Sequence, residues 1–157
     1  MADVSIELVG PGDLTAVRTL LREYAGSLDV ELDFQGFAQE VAALPGSYAP
    51  PGGALLVARD AADVVVGCVG VRPLDLRTCE MKRLYVSPAQ RGTGLGRRLA
   101  EASIEEARRL GYRAMRLDTL PGMDAAQALY RELRFREVAP YTANPVPGTR
   151  FLELDLS

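Results

Sequence analysis

The groups in this chain able to do chemistry are few, and an absence narrows them first. Histidine does not occur, which removes the commonest general base, the usual zinc ligand and every Ser-His or Cys-His pair. Carboxylates, tyrosines, two thiols and the backbone remain. The backbone is offered most openly from Val86 to Gly96, where a strand-like segment ends, three alternate glycines follow (Gly92, Gly94, Gly96) and a long helical pattern begins at once. Such a turn presents N–H groups with no Cβ to keep an anion away, and the first helical turn adds unpaired donors and the positive end of the dipole. A pyrophosphate suits it. Neither common phosphate loop fits, because no lysine follows the glycines and the dinucleotide fingerprint would need glycine where Arg97 stands. On these residues alone, a glycine turn without a ligand stays open.

The scaffold for that loop is legible from periodicity. Val4, Ile6 and Leu8 alternate as a half-buried strand, stopped by Gly10-Pro11-Gly12. Asp13 is then placed to cap an amphipathic helix over about 14–28, carried by Leu14, Val17, Leu20, Leu21, Tyr24 and Leu28. A shorter helix carries Phe34, Phe37, Val41 and Leu44, and a proline- and glycine-rich loop runs from Pro45 to Gly53. Ala54 to Arg59 and Val64 to Arg72 form a hairpin, and Cys79 to Val86 a third strand. Gly94 to Leu110 is a helix with Gly111 at its C′ position. Arg113 to Thr119 is a strand, Asp124 to Leu133 a helix capped by Asp124, and Phe135 to Ala139 and Phe151 to Leu156 are strands joined by a loop from Pro140 to Thr149. The order predicts a single α/β (α+β) domain over residues 1–157, with a mixed, mostly antiparallel twisted sheet of about seven strands flanked by about four helices.

Composition agrees with a globular chain: 48% of the 157 residues are hydrophobic and 25% charged, enough for a core without disulfide or metal. A net charge of -3 gives no positive field for phosphate backbones, so no nucleic-acid partner is expected. Cys68 and Cys79 lie in apolar segments and read as reduced, buried residues of a cytoplasmic protein. Asp3 and Glu7 near the start, with no basic stretch, do not read as a signal peptide, and the longest apolar run, Val64 to Val71, is too short to cross a bilayer.

Arg91 to Gly96, R-G-T-G-L-G, after a strand ending Leu84-Tyr85-Val86, resembles the R/Q-x-x-G-x-G/A motif of the GCN5-related N-acetyltransferases (GNAT). Ala128 to Phe135, A-L-Y-R-E-L-R-F, is similar to that family's late A-L-Y-x-x-x-G-F. The best match covers about 54–139, and the order of elements extends it to the whole chain. Two departures stand out. Arg134 replaces the usual glycine, and Leu120 and Met123 occupy places where asparagines are frequent, so the resemblance carries no cofactor contact from that loop.

The resemblance implies an acetyl-CoA-dependent N-acetyltransferase that needs no metal and acts on the amine of a small molecule or peptide; a homodimer stays open. The backbone of Gln90, Arg91, Gly92, Thr93, Gly94, Leu95, Gly96 and Arg97 would hold the pyrophosphate, and the edge at Leu84, Tyr85 and Val86 the pantetheine arm. Arg91 and Arg97 would add charge, since a cation at a helix start gains nothing without an anion. Tyr130, also beside the cofactor, would be the general acid, a phenol near pKa 10 protonating a thiolate near 8.5 at a cost of about 2 kcal/mol. Glu80 would be the base. An ordinary carboxylate sits about 6 units below an alkylammonium, so one doing this work needs burial, a bridging water, or an amine already attacking. The alternatives are a core tyrosine, and an exposed strand glutamate paired with Lys82 or Arg83. The acceptor would lie among Phe34, Phe37, Tyr48 and Tyr141, beside Glu31 and Asp33. A non-catalytic acyl-CoA-binding regulatory module is the rival reading.

Overall fold

The computed structural model describes residues 3–28 and 36–157. Its elements are β1 (Ser5–Leu8), α1 (Leu14–Ser27), α2 (Phe37–Ala42), β2 (Ala54–Arg59), β3 (Val65–Pro73), β4 (Thr78–Val86), α3 (Leu95–Arg109), β5 (Ala114–Thr119), α4 (Asp124–Glu132), β6 (Arg136–Val138) and β7 (Arg150–Asp155). The strands form one sheet in the order β1-β2-β3-β4-β5-β7-β6. Every neighbouring pair is antiparallel except β4 and β5, which run parallel. This is the mixed, mostly antiparallel sheet expected.

Strand β2 explains the layering. Its side chains alternate between two cores: Ala54, Leu56 and Ala58 join Leu95, Leu99, Ile104 and Ala107 of α3, while Leu55 and Val57 join Val17, Leu20 and Leu21 of α1 and Phe37 and Val41 of α2. A strand buried on both faces reads as a continuous apolar run, as Ala-Leu-Leu-Val-Ala does. Each large side chain so buried contributes about 1.5–3 kcal/mol. Cys68 and Cys79 are buried and unbridged.

Asp13 holds the expected N-cap position of α1 but its side chain makes no cap bond, and the cap expected at Asp124 is corrected. A short 3₁₀ turn, Pro11–Asp13, precedes α1, and the Asp13 carboxylate is drawn away from the helix: it accepts the Gly10 N–H at 2.8 Å and Arg59 Nη2 at 2.7 Å. At α4 the capping residue is Met123, and Asp124 lies inside the first turn, where an acid meets the helix dipole instead. The second helix starts at Phe37, after Gly36 in a left-handed conformation.

Two irregularities shape the middle of the sheet. In β4 the register to β3 slips between Cys68↔Tyr85 and Gly70↔Lys82, and Arg83 takes a positive φ of 61°. This is a β-bulge, and it switches the strand's parity. Cys79 and Met81 belong to the α3 core before it, and Leu84 and Val86 pack against that core after it. The second irregularity is that β4 and β5 pair only at Thr78↔Ala114, Cys79↔Met115 and Glu80↔Arg116. Beyond Glu80 the two strands part.

Candidate active site

The parting of β4 and β5 leaves a narrow neck of about 50 Å³, walled by Met81, Lys82 and Leu84 on one side and Leu117, Asp118 and Thr119 on the other, with Tyr130 of α4 also lining it. A hollow of about 400 Å³ adjoins it toward the glycine loop, lined by Tyr85, Val86, Arg91, Gly96 and the start of α4; Tyr24, Leu84 and Met123 line both. A third hollow, about 300 Å³, opens past the other end of the neck and shares Lys82 and Asp118 with it. The shared residues join the three in one line.

At the loop end, Pro88–Gln90 forms a 3₁₀ turn, and the Thr93 hydroxyl donates to the Gln90 carbonyl at 2.6 Å. Gly92 and Gly94 then take φ of 78° and 84°, angles that cost other residues about 1–2 kcal/mol. Gly94 is the N-cap of α3 with no side-chain cap, and a Cβ built on it would meet nothing within 4 Å. No side chain at Gly94 therefore crowds the start of this fifteen-residue helix, and the unpaired N–H groups of a first helical turn suit a phosphate. Arg91 lies 5.7 Å from the Tyr85 ring centroid and lines the adjoining hollow. Arg97 differs from expectation, because carboxylates already answer its charge: Nη1 donates to Glu132 at 2.7 Å, and Glu101 lies 3.8 Å from Nε.

The neck holds two polar groups of note. Thr119 Oγ1 is, among the described residues, the one buried side-chain polar atom without a hydrogen-bond partner. A buried hydroxyl left unsatisfied costs about 1–3 kcal/mol, and a ligand amide in the neck would satisfy it. Tyr130 packs edge-on against Phe135 at 5.7 Å, and burial raises its phenol well above the ordinary value. It stays protonated at any working pH. Desolvation raises a thiol in the same way, as burial does for Cys68, pushed up to about 12, so a dry neck lifts proton donor and thiolate together. That leaves neither cysteine poised as a nucleophile, since Cys79 is pushed up to about 12 as well.

The third hollow is polar. Glu80 is 1% exposed; Arg72 Nε donates to its Oε1 at 2.8 Å and the Tyr141 hydroxyl to its Oε2 at 2.5 Å. It is therefore not an exposed glutamate paired with Lys82 or Arg83. Lys82 reaches across the parted strands to Asp118 at 3.2 Å, and Arg83 binds Glu40 at 2.8 Å. Burial and the neighbouring Glu80 carboxylate push the Tyr141 phenol upward, so it keeps its proton and remains a donor. The loop between β6 and β7 is pinned twice, by Tyr141 on Glu80 and by Asn144 Nδ2, which donates to Asp118 at 3.1 Å.

Of the aromatic and acidic residues expected around the acceptor, Tyr141 alone lines this hollow among the described residues. Tyr48 is core instead: its ring fills the space above Gly70, where a Cβ would lie 2.5 Å from Cε1, and its hydroxyl donates to Glu40 at 2.9 Å. Phe37 packs under the Arg83 guanidinium, 4.9 Å from its ring centroid. Glu31, Asp33 and Phe34 lie outside the described residues. Sequence reasoning did not bring Arg72, Asp118 or Thr119 to these hollows, and took Lys82 only as a partner for Glu80.

Leu120 and Met123 help wall the neck with apolar surface. Arg134 has φ 76° and follows the end of α4, where the Phe135 N–H bonds back to the Tyr130 carbonyl at 3.0 Å. The position is a left-handed helix stop.

A family model described as the acetyltransferase (GNAT) family matches residues 15–135. An uncharacterised N-acetyltransferase of Schizosaccharomyces pombe is 39% identical, over 99% of this chain and 97% of that protein. Among solved structures, a GNAT-family acetyltransferase from Staphylococcus aureus superposes with a TM-score of 0.80 at 19% identity, covering 99% of this chain and 100% of that one. A Salmonella typhimurium protein solved with its cofactor acetyl-CoA superposes with a TM-score of 0.75 at 23% identity, covering 99% and 95%.

Proposed function

Because the chain belongs to the acetyltransferase (GNAT) family and so is an enzyme of acetyl transfer, we propose that it passes the acetyl group of acetyl-CoA directly to the amine of a small-molecule or peptide acceptor. The observation that carries this reading is the single line of cavities, from glycine loop through neck to polar hollow, joined by Tyr24, Leu84 and Met123 at one end and by Lys82 and Asp118 at the other. The Salmonella typhimurium protein, of the same fold, was solved with acetyl-CoA.

The backbone of Gln90 to Arg97 holds the pyrophosphate, while Leu84 to Val86 and the Thr119 hydroxyl satisfy the pantetheine amides. Acetyl-CoA supplies an acetyl group already activated as a thioester. Glu80, at the floor of the third hollow, takes the proton that the amine nitrogen loses as it bonds to the acetyl carbon. Tyr130, lining the neck, gives its proton to the sulfur as the carbon–sulfur bond breaks, a transfer whose loss costs about 10²-fold or more.

The test is mass spectrometry of an amine panel incubated with acetyl-CoA. Acetylated product with stoichiometric free coenzyme A is expected, and Tyr130→Phe should bind acetyl-CoA normally while turning over at least about 10²-fold more slowly. Tight acetyl-CoA binding with no acetylated amine from any acceptor would defeat the proposal in favour of an acyl-CoA-binding module.

A further inference from the structure

The hollow past the neck has an order of charge that constrains what enters it. Its polar wall carries Arg72, Glu80, Lys82, Asp118 and Tyr141, and its volume is about 300 Å³. These groups differ in exposure: the Arg72 side chain is 30% exposed, the Glu80 side chain 1%, and those of Lys82 and Asp118 8% each. Arg72 is therefore the more accessible cation, and two carboxylates and Lys82 are buried behind it.

Each charge here has a partner, and what distinguishes Arg72, itself 2.8 Å from Glu80, is its unused N–H donors. Lys82 and Asp118 neutralise one another at 3.2 Å. Arg72 has five N–H donors; Glu80 takes one of them, and Glu40 stands off at 3.7 Å from Nη1. The guanidinium keeps donors to spare in a fork that suits a carboxylate.

We propose, building on the reading of this hollow as the acceptor site, that the acceptor is a small amino acid: an amine with a carboxylate a few bonds away. The amine enters first and lies by Glu80 and Asp118 next to the neck, and the carboxylate trails on Arg72. A polyamine would bring a second cation against Arg72. A bulky aromatic amine would find little apolar wall, since Leu74 and Ala143 are its main apolar lining. The hollow has room for about one residue, since about 300 Å³ lies at the bottom of the range for ligand pockets.

The experiment uses matched sets: standard amino acids, their carboxamides and their decarboxylated amines, with two diamines. Each is measured for acetyl transfer from acetyl-CoA and for thermal stabilisation of the coenzyme A-loaded protein. For the best set, kcat/KM should favour the acid over its amide and amine by about 10-fold or more, the scale of one charge-assisted hydrogen bond. Arg72→Gln should bring that ratio toward one and Arg72→Lys should restore part of it. Any indirect effect through Glu80 would lower acid and amine alike, so the ratio isolates the carboxylate contact. Should no compound be acetylated while amino acids still stabilise the loaded protein in an Arg72-dependent way, the acceptor class stands and the transfer reading falls. A diamine or decarboxylated amine that outperforms the acid, a ratio unmoved by Arg72→Gln, or no response in either measurement overturns the proposal.

Discussion

Glu80 divides its two oxygens between a guanidinium and a phenol, an arrangement that holds the carboxylate still, as the proposed base that must meet one nitrogen would need. Glu80→Gln keeps the shape and removes the proton acceptor. The expected outcome is a slow enzyme at neutral pH that regains about tenfold per pH unit as free amine accumulates toward the amine's own pKa. A pH–rate series on both proteins with one saturating acceptor checks it, and superimposable profiles would leave Glu80 only a structural part. Glu80 and Tyr130 could be singled out in the sequence through the motifs around them, and Tyr141 as an aromatic of the late loop. The charged residues that line the same hollow could not. Arg72, Lys82 and Asp118 stand on three different strands and look like solvated charges until β3, β4 and β5 are laid side by side. Tyr48 misled because an aromatic ring gives no sign that a glycine on β3 has made room for it.

Two of the left-handed helix ends make opposite forecasts. Gly94 opens α3 at φ 84° and Arg134 follows α4 at φ 76°. Arg134→Gly should relieve about 1 kcal/mol of backbone strain and raise Tm by about 2–4 °C. Gly94→Val should cost at least that much, and its new side chain would occupy the open space above the helix start. Thermal melts with and without acetyl-CoA check both: the Gly94 variant should lose the ligand-induced shift, and the Arg134 variant should keep it. The elements themselves were readable because 2.0- and 3.6-residue periods survive in the chain. The β4 bulge leaves a mark in the sequence too. Apolar residues fall at Cys79 and Met81, then at Leu84 and Val86, and that one spacing of three marks the change of face. The parting of β4 from β5 left no such trace, since it depends on how two distant segments diverge.

For the molecule as a whole, one half-buried carboxylate outside the line of cavities ties the layers together. Glu40 of α2 accepts from Arg83 of β4 at 2.8 Å and from Tyr48 at 2.9 Å. Burial pushes its carboxyl upward, but the Arg83 guanidinium more than offsets this, so its pKa lies below the ordinary 4.5. A depressed folded pKa gives stability that is present above the unfolded value and lost as pH falls through the folded one. Denaturant melts should therefore lose stability below about pH 4.5, and Glu40→Gln, less stable at neutral pH, should lose less of it on acidification. An equal acid slope in both proteins would assign the loss to other carboxylates.

The short seam between β4 and β5 has a mechanical side. Three residue pairs join the strands, and the Lys82–Asp118 contact spans the gap beyond them. On one side lie β1 to β4, and on the other β5, β7 and β6. A pull applied between β1 and β7 thus loads this seam, which has the fewest paired residues of those lying between the two strands. A molecule lodged in the gap would act as a cross-tie, and the force needed to rupture the seam would report its presence without any chemical readout.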